Sequence, residues 1–300
     1  MTSLAALLLS LALCQEKSDK DLTFEFLPPP PIASGDLYRI VAEEKDSTWA
    51  TFYEGSTLLR GLKIGKSMSI DATQEVIEAE RGRTLKSKWI FARALESKND
   101  AERPLRFQGK TVLATMQDDV LLLKYEGGSY LPLDEQKAMR QPILGLDDTP
   151  REERDPVFGD VFSPGRTLKV GEPWDIPIAS AVRLVLGAGR VFSIDEKTSK
   201  AKASLASVEK RGNALFGRIR TDFDFKVNGL ETLQFEKPIP IRVRMEYVGA
   251  IDGSRPDSQM TVKLDFKGTS DAKDKSGRKI RVEFDTTLDR SISRKSVSKE

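Results

Sequence analysis

Residues 238–247 read Pro238-Ile-Pro-Ile-Arg-Val-Arg-Met-Glu-Tyr247, and two similar runs follow: Met260-Thr-Val-Lys-Leu-Asp-Phe-Lys267 and Ile280-Arg-Val-Glu-Phe-Asp285. In the first, Ile239, Ile241, Val243, Met245 and Tyr247 fall on one side, and Arg242, Arg244 and Glu246 on the other. A period of two puts successive side chains on opposite faces of a strand, so these runs predict an antiparallel sheet with one apolar and one wet face. The breaks at 249–256 and 268–277 carry the Gly, Asp, Ser and Pro of loops.

The pattern extends backwards. Residues 215–227 alternate, with Leu215, Ile219, Phe223, Phe225 and Val227 inward and Arg218, Arg220, Asp222, Asp224 and Lys226 outward. Asn228-Gly229 is the dipeptide favoured in two-residue hairpins and predicts a turn there. Residues 200–208 form another strand, closed by Gly212-Asn213. The second half is thus a meander of about five strands. Residues 176–186 instead place Ile178, Ala181, Val182 and Val185 on one helical face, with Gly187 as the stop. A helix of this kind covers the apolar side of a sheet.

The first half is also β-rich, with less regular strands. Residues 36–53 read as two strands separated by a polar turn, and 67–74 and 85–94 alternate on either side of Arg81-Gly82. Shorter candidates at 111–114 and 120–124 flank Asp118-Asp119, and 134–141 reads as a helix begun by Asp134 and stopped by Pro142. Ser69-Ile70-Asp71 and Ser193-Ile194-Asp195 form a short internal echo, too brief to define a repeat. The organisation expected is a β-rich half at 36–144, a linker at 145–165, a helix-plus-meander half at 166–293 and a frayed tail at 294–300. The fold class is mainly β: an antiparallel curved sheet, an open half-barrel with a few short helices.

The N-terminus reads as an address. Residues 4–13 are almost unbroken Leu and Ala, too short to span a bilayer and suited to the core of a secretory signal. Ala12 and Cys14 sit where a signal peptidase reads small residues, making 1–14 the signal and 15–35 a flexible, Pro-rich leader. Leu11-Ala12-Leu13-Cys14 also resembles a lipobox, in which Cys14 would be lipidated and anchor the chain. No later apolar run reaches transmembrane length, so the expected location is periplasmic, cell-surface or secreted.

Composition excludes much chemistry. There is no His, and the single Cys is Cys14. Ser-His-Asp triads, Cys-His dyads and His-based metal sites are therefore out of reach. Lys and Arg number 48 against 46 Asp and Glu, a net charge of +2 that argues against a dedicated nucleic-acid binder. Gly61-Leu-Lys-Ile-Gly65-Lys66-Ser67 and Gly109-Lys110-Thr111 fail the phosphate-loop spacing and read as turns entering strands. Asp222 and Asp224 share a strand face and could hold a hard cation or do acid–base work, yet the Arg and Lys around them suit cross-strand ion pairs as well. No catalytic residue, metal site or cofactor is expected.

The segment Phe162-Ser-Pro164-Gly-Arg-Thr-Leu-Lys-Val170-Gly171-Glu-Pro-Trp174 resembles a Pro…Val-x-x-Gly-Asp-x-Trp type of turn in uncharacterised exported β-rich bacterial proteins, with fewer residues before the Gly and Glu172 in place of Asp. The resemblance implies export and β structure. Read physically, Gly171 makes the turn and Trp174 packs under the sheet. A half-barrel resembling the LolA-type lipoprotein carriers would hold an apolar ligand between sheet and helix. Its wall would be Ile219, Phe223, Phe225, Val243, Met245 and Tyr247; the plain alternative is that these residues form a dry core. The expected function is a non-catalytic binding or envelope-associated protein. The alternatives are a carrier of a lipid or other apolar molecule, and a hydrolase using carboxylates alone.

Overall fold

The computed structural model describes residues 22–27, 30–81, 83–99, 101–117, 120–140, 161–162, 165–186, 192–230 and 233–298. The signal and lipobox readings, Cys14 and the linker at 145–160 lie outside them. The alternation does build a mainly β protein. Thirteen strands form one antiparallel sheet whose two end strands do not pair, so it is open. Its centre is β2 (Leu37–Glu54), flanked on one side by β3 (Thr57–Glu80) and β4 (Arg83–Lys98). Beyond β4 come the short β5 (Ala101–Pro104) and then β6 (Thr111–Gln117) and β7 (Val120–Tyr125). On the other side lie β15 (Lys279–Ser296), β14 (Ser258–Lys273), β13 (Leu233–Ala250), β12 (Ala214–Leu230), β11 (Lys200–Arg211) and β9 (Pro173–Asp175). The short β10 (Phe192–Ile194) pairs with the end of β12, and β1 (Thr23–Phe24) pairs separately with β8 (Leu168–Lys169).

Both halves of the chain therefore share one sheet, joined where β2 runs antiparallel to β15. The expected break within residues 36–53 does not occur. The polar stretch between Ala42 and Ala50 leaves the strand intact, because the even-numbered side chains stay on the less exposed face throughout. The Gly61–Ser67 stretch is likewise strand interior within β3, whereas Gly109 sits in a turn at φ +70° before β6, as expected. Asn228-Gly229 also lies within a strand. β12 continues to Leu230 and β13 starts at Leu233; against β10 Asn228 is the extra residue of a bulge, whereas the register shift towards β13 leaves its extra residues in β13, at 235–238. A Cβ on Gly229 would stand 2.5 Å from the Leu233 carbonyl oxygen, which explains the glycine. The short internal echo has no structural counterpart: Ser69 lies mid-β3, and Ser193 in β10.

The chain ends are better held than expected. Thr23 and Phe24 pair with Lys169 and Leu168, and the Leu27 amide donates to the Ile251 carbonyl at 2.8 Å, so the second part of the leader is tied to the sheet. Val161 and Phe162, at the end of the expected linker, are buried in the core. The tail also stays in β15 as far as Ser296. Its Ser296 pairs with Tyr38, and the Arg294 guanidinium covers the Tyr38 ring at 3.7 Å.

Two apolar clusters sit on the same face of the sheet. Read along the even positions of β2, Tyr38, Ile40 and Ala42 belong to one, and Ala50 and Phe52 to the other; Glu44, Asp46 and Thr48 lie between them. Helix α1 (Leu133–Arg140) covers the first, burying Met139 beside Leu131 and Phe107. Helix α2 (Ile178–Leu186) covers the second through Ala181, with Val182 and Val185 on its margin, as the helical period predicts. Trp174 also packs into this second cluster. The turn before it is set by Gly171 at φ +85°, whose amide donates to the Leu205 carbonyl. Glu172 fixes the same turn by accepting from the Lys169 amide and pairing with Arg166, contacts that hold its carboxyl below the ordinary range.

Candidate functional site

An apolar cavity of about 300 Å³ opens on the second cluster. Its floor is the inward row of the central strands: Ala50 and Phe52 from β2, Phe284 and Leu288 from β15, and Leu264 and Phe266 from β14. Each arrives by the period of two described above. Leu62 of β3 and Ile241 of β13 close the sides, and Phe192 and Leu230, brought together by the β10–β12 pairing, form the far wall. The aromatic rings brace one another. Phe284 stacks on Phe266 with centroids 4.9 Å apart and meets Phe52 edge-on at 6.2 Å, while Phe192 stands perpendicular to Phe266 at 5.8 Å. Such contacts fix ring positions and keep the walls from collapsing inward.

The mouth is polar at one end. Asp46, Thr48 and Thr286 border it, and the Thr48 hydroxyl donates to Asp46 at 3.0 Å. They belong to the belt that crosses the core face between the clusters. The belt also holds the Glu44–Arg290 pair and Lys66, whose amine lies 3.7 Å from Glu96.

The six residues expected to form a ligand wall are in the second cluster but not at the cavity. Ile219, Phe223, Phe225, Val243 and Met245 are buried beneath α2 and its neighbours, and Phe223 stacks on Phe225 at 5.7 Å. Tyr247 is half-buried, tilted against Phe162 at 5.0 Å, and burial raises its phenol pKa. Periodicity identified the strands correctly; it could not show which part of the apolar face α2 fills and which part stays open. The signal missed was Phe192, an isolated aromatic just before the meander.

The acidic candidates are accounted for by ion pairs. Arg244 lies 3.1 Å from Asp222, Lys226 3.0 Å from Asp224, and Arg218 and Arg220 both engage Glu246. Glu135 is buried, accepts the Tyr125 hydroxyl at 2.5 Å and has Arg106 3.7 Å away, which ties α1 to β7. Among the described residues no cluster of three or more metal-ligating acidic or thiol side chains occurs, and no helix is long and apolar enough to cross a membrane.

No protein-family model and no curated protein matches the sequence. Among solved structures, the chain is similar to lipovitellin, described for its lipid–protein interactions, at 10% identity and a TM-score of 0.36. That likeness covers 92% of this chain but only 26% of lipovitellin, so the chain spans about a quarter of that protein. DynF, from the dynemicin biosynthesis pathway of Micromonospora chersina, is similar over 88% of this chain and 83% of its own at 7% identity and a TM-score of 0.17. At TM-scores below 0.5 neither neighbour assigns a fold family or a function to the chain.

Proposed function

We propose that this is an exported, non-catalytic binding protein whose ligand is a small apolar or amphiphilic molecule held in the cavity beside Phe52, Phe266 and Phe284. The supporting observation is the cavity itself: about 300 Å³, walled by carbon, with Asp46, Thr48 and Thr286 at one end. The recess leaves apolar side chains open to solvent, and a contiguous apolar surface of this kind marks a binding site more often than bare surface. The volume lies at the lower end of ligand pockets, which suits one short chain or a single ring system rather than a whole diacyl lipid. The polar end suits a hydroxyl or amide, which can donate to Asp46 and accept from Thr286.

Export rests on residues 4–13, and a carrier role would follow if the ligand is handed on. Native mass spectrometry of protein purified from its own host tests the binding reading. A mass increment that disappears on denaturation, and that extracts into organic solvent, is the expected result. Protein without any adduct, and unable to take up added short-chain amphiphiles, would end it.

A further inference from the structure

The β2–β3 hairpin carries an apolar tip. Leu58 is 58% exposed and Leu59 41% exposed, side by side in sequence. A regular strand would turn one inward. Here the register shifts, so that Phe52 faces Arg60 and Tyr53 faces Leu58, and Leu59 is the extra, unpaired residue. Residues 54–61 are all exposed, and within this tip the bulge sets Leu59 beside Leu58 without a cross-strand partner. β4 does not cover this part of β3, because their pairing begins only at Lys66. Two adjacent exposed leucines are a poor choice for a surface that meets only water.

Their surroundings are cationic. The β14–β15 turn lies alongside, since Tyr53 pairs with Arg281 and Arg278 reaches Glu54 at 4.0 Å. That turn reads Lys273-Asp-Lys-Ser-Gly-Arg-Lys279. Arg278 occupies both local carboxylates, Glu54 and Asp274. Lys273, Lys275, Lys279 and Arg60 are exposed, and none of the four has a carboxylate partner among the described residues. Lysine stems extend along an apolar surface while their ammonium groups stay wet.

We propose that this end of the sheet docks on an anionic lipid surface, with Leu58 and Leu59 immersed among the acyl chains and the four cations against the headgroups. Apolar tip and unpaired cations together meet the two-part requirement for reversible interfacial binding. A protein partner would have to match both parts, an apolar pocket for two leucines and carboxylates for all four cations, whereas an anionic bilayer presents both without a specific fit. The geometry also gives the cavity a route to the bilayer: Phe52 and Leu62, two of its walls, belong to the same hairpin as the leucines. The docking surface stands on its own observations and does not require that the cavity hold a ligand.

Co-sedimentation of the full chain with phosphatidylcholine vesicles, with and without phosphatidylglycerol, tests this. Binding is expected to need the anionic lipid and to weaken with salt. The double variant Leu58→Ser/Leu59→Ser should bind at least roughly tenfold more weakly. The triple variant Lys273→Gln/Lys275→Gln/Lys279→Gln should lose on the order of a hundredfold, at about fivefold per lysine near such a surface. Because the substituted side chains are exposed, both variants should melt like the parent, and a cavity probe should bind them unchanged. That probe also separates the two readings: vesicle binding without probe binding upholds docking. Variants that melt normally and bind vesicles as tightly as the parent would overturn it, since binding would then come from elsewhere, such as residues 4–13. Failure of the parent to bind either vesicle would overturn it too.

Discussion

Glu44 and Arg290 are 246 residues apart in sequence and directly opposite in the sheet, with the guanidinium Nε 2.7 Å from the Glu44 carboxylate. Their pair spans the one seam that joins the two halves of the chain. It sits between two apolar clusters, with only 9% of the Glu44 side chain exposed. A half-buried pair of this kind costs most when one partner is removed and the other charge is stranded. Glu44→Gln is therefore expected to lower the unfolding free energy by about 1–3 kcal/mol, read by urea denaturation. The loss should shrink in the double variant Glu44→Gln/Arg290→Met. A double-variant loss equal to the sum of the Glu44→Gln and Arg290→Met losses would show that the pair does not couple.

The bulge at Asn228-Gly229 gives a second expectation. A side chain at Gly229 would collide with the backbone of Leu233, which cannot swing aside. Gly229→Ala should cost about 1–3 kcal/mol as overpacking against a fixed atom. Gly61, whose added Cβ would meet nothing within 4 Å, is the control: Gly61→Ala should be neutral or mildly stabilising. The comparison is made by thermal unfolding of the two variants.

Alkaline pH should weaken the fold through Tyr38. Burial, followed by the hydrogen bond its hydroxyl donates to Asp36, pushes the phenol up to about 12 from an ordinary value of 10.0. A raised folded-state pKa means that the contribution is fully present below pH 10.0 and is lost as pH rises through about 12. Tyr38→Phe should flatten part of that decline, with the rest carried by Tyr125 and Tyr247, whose phenols are raised in the same direction. Stability measured by denaturant midpoint from neutral pH upward checks this. A decline unchanged in the variant would place the alkaline sensitivity elsewhere.

These expectations also mark where sequence reading succeeds. The runs in β13, β14 and β15 were legible because within residues 239–247, 260–266 and 280–284 every inward side chain is apolar and buried or half-buried. β2 was harder, since its inward row passes through the belt at Glu44, Asp46 and Thr48 and resembles a turn. The Asn228-Gly229 dipeptide misled because Gly229 serves close approach to the Leu233 backbone, not the positive φ of a hairpin turn. The six residues of the candidate ligand wall lie in the cluster on which the cavity opens, but not at the cavity. Which part of the apolar face is filled depends on where α2, Trp174 and β10 come to rest, and these are long-range contacts that no local period encodes.

The central claim is that the cavity takes an apolar ligand, and Ala50 offers the most direct test. Ala50 is 3% exposed and lines the cavity, so Ala50→Leu adds carbon to the empty space itself. Titration of an environment-sensitive apolar probe such as 1-aminoanthracene into the delipidated parent and variant proteins reads the outcome by fluorescence. Saturable binding by the parent, reduced at least roughly tenfold in a variant of equal or greater thermal stability, is the predicted result. Binding that is equal in both proteins, or absent from the parent, would contradict it.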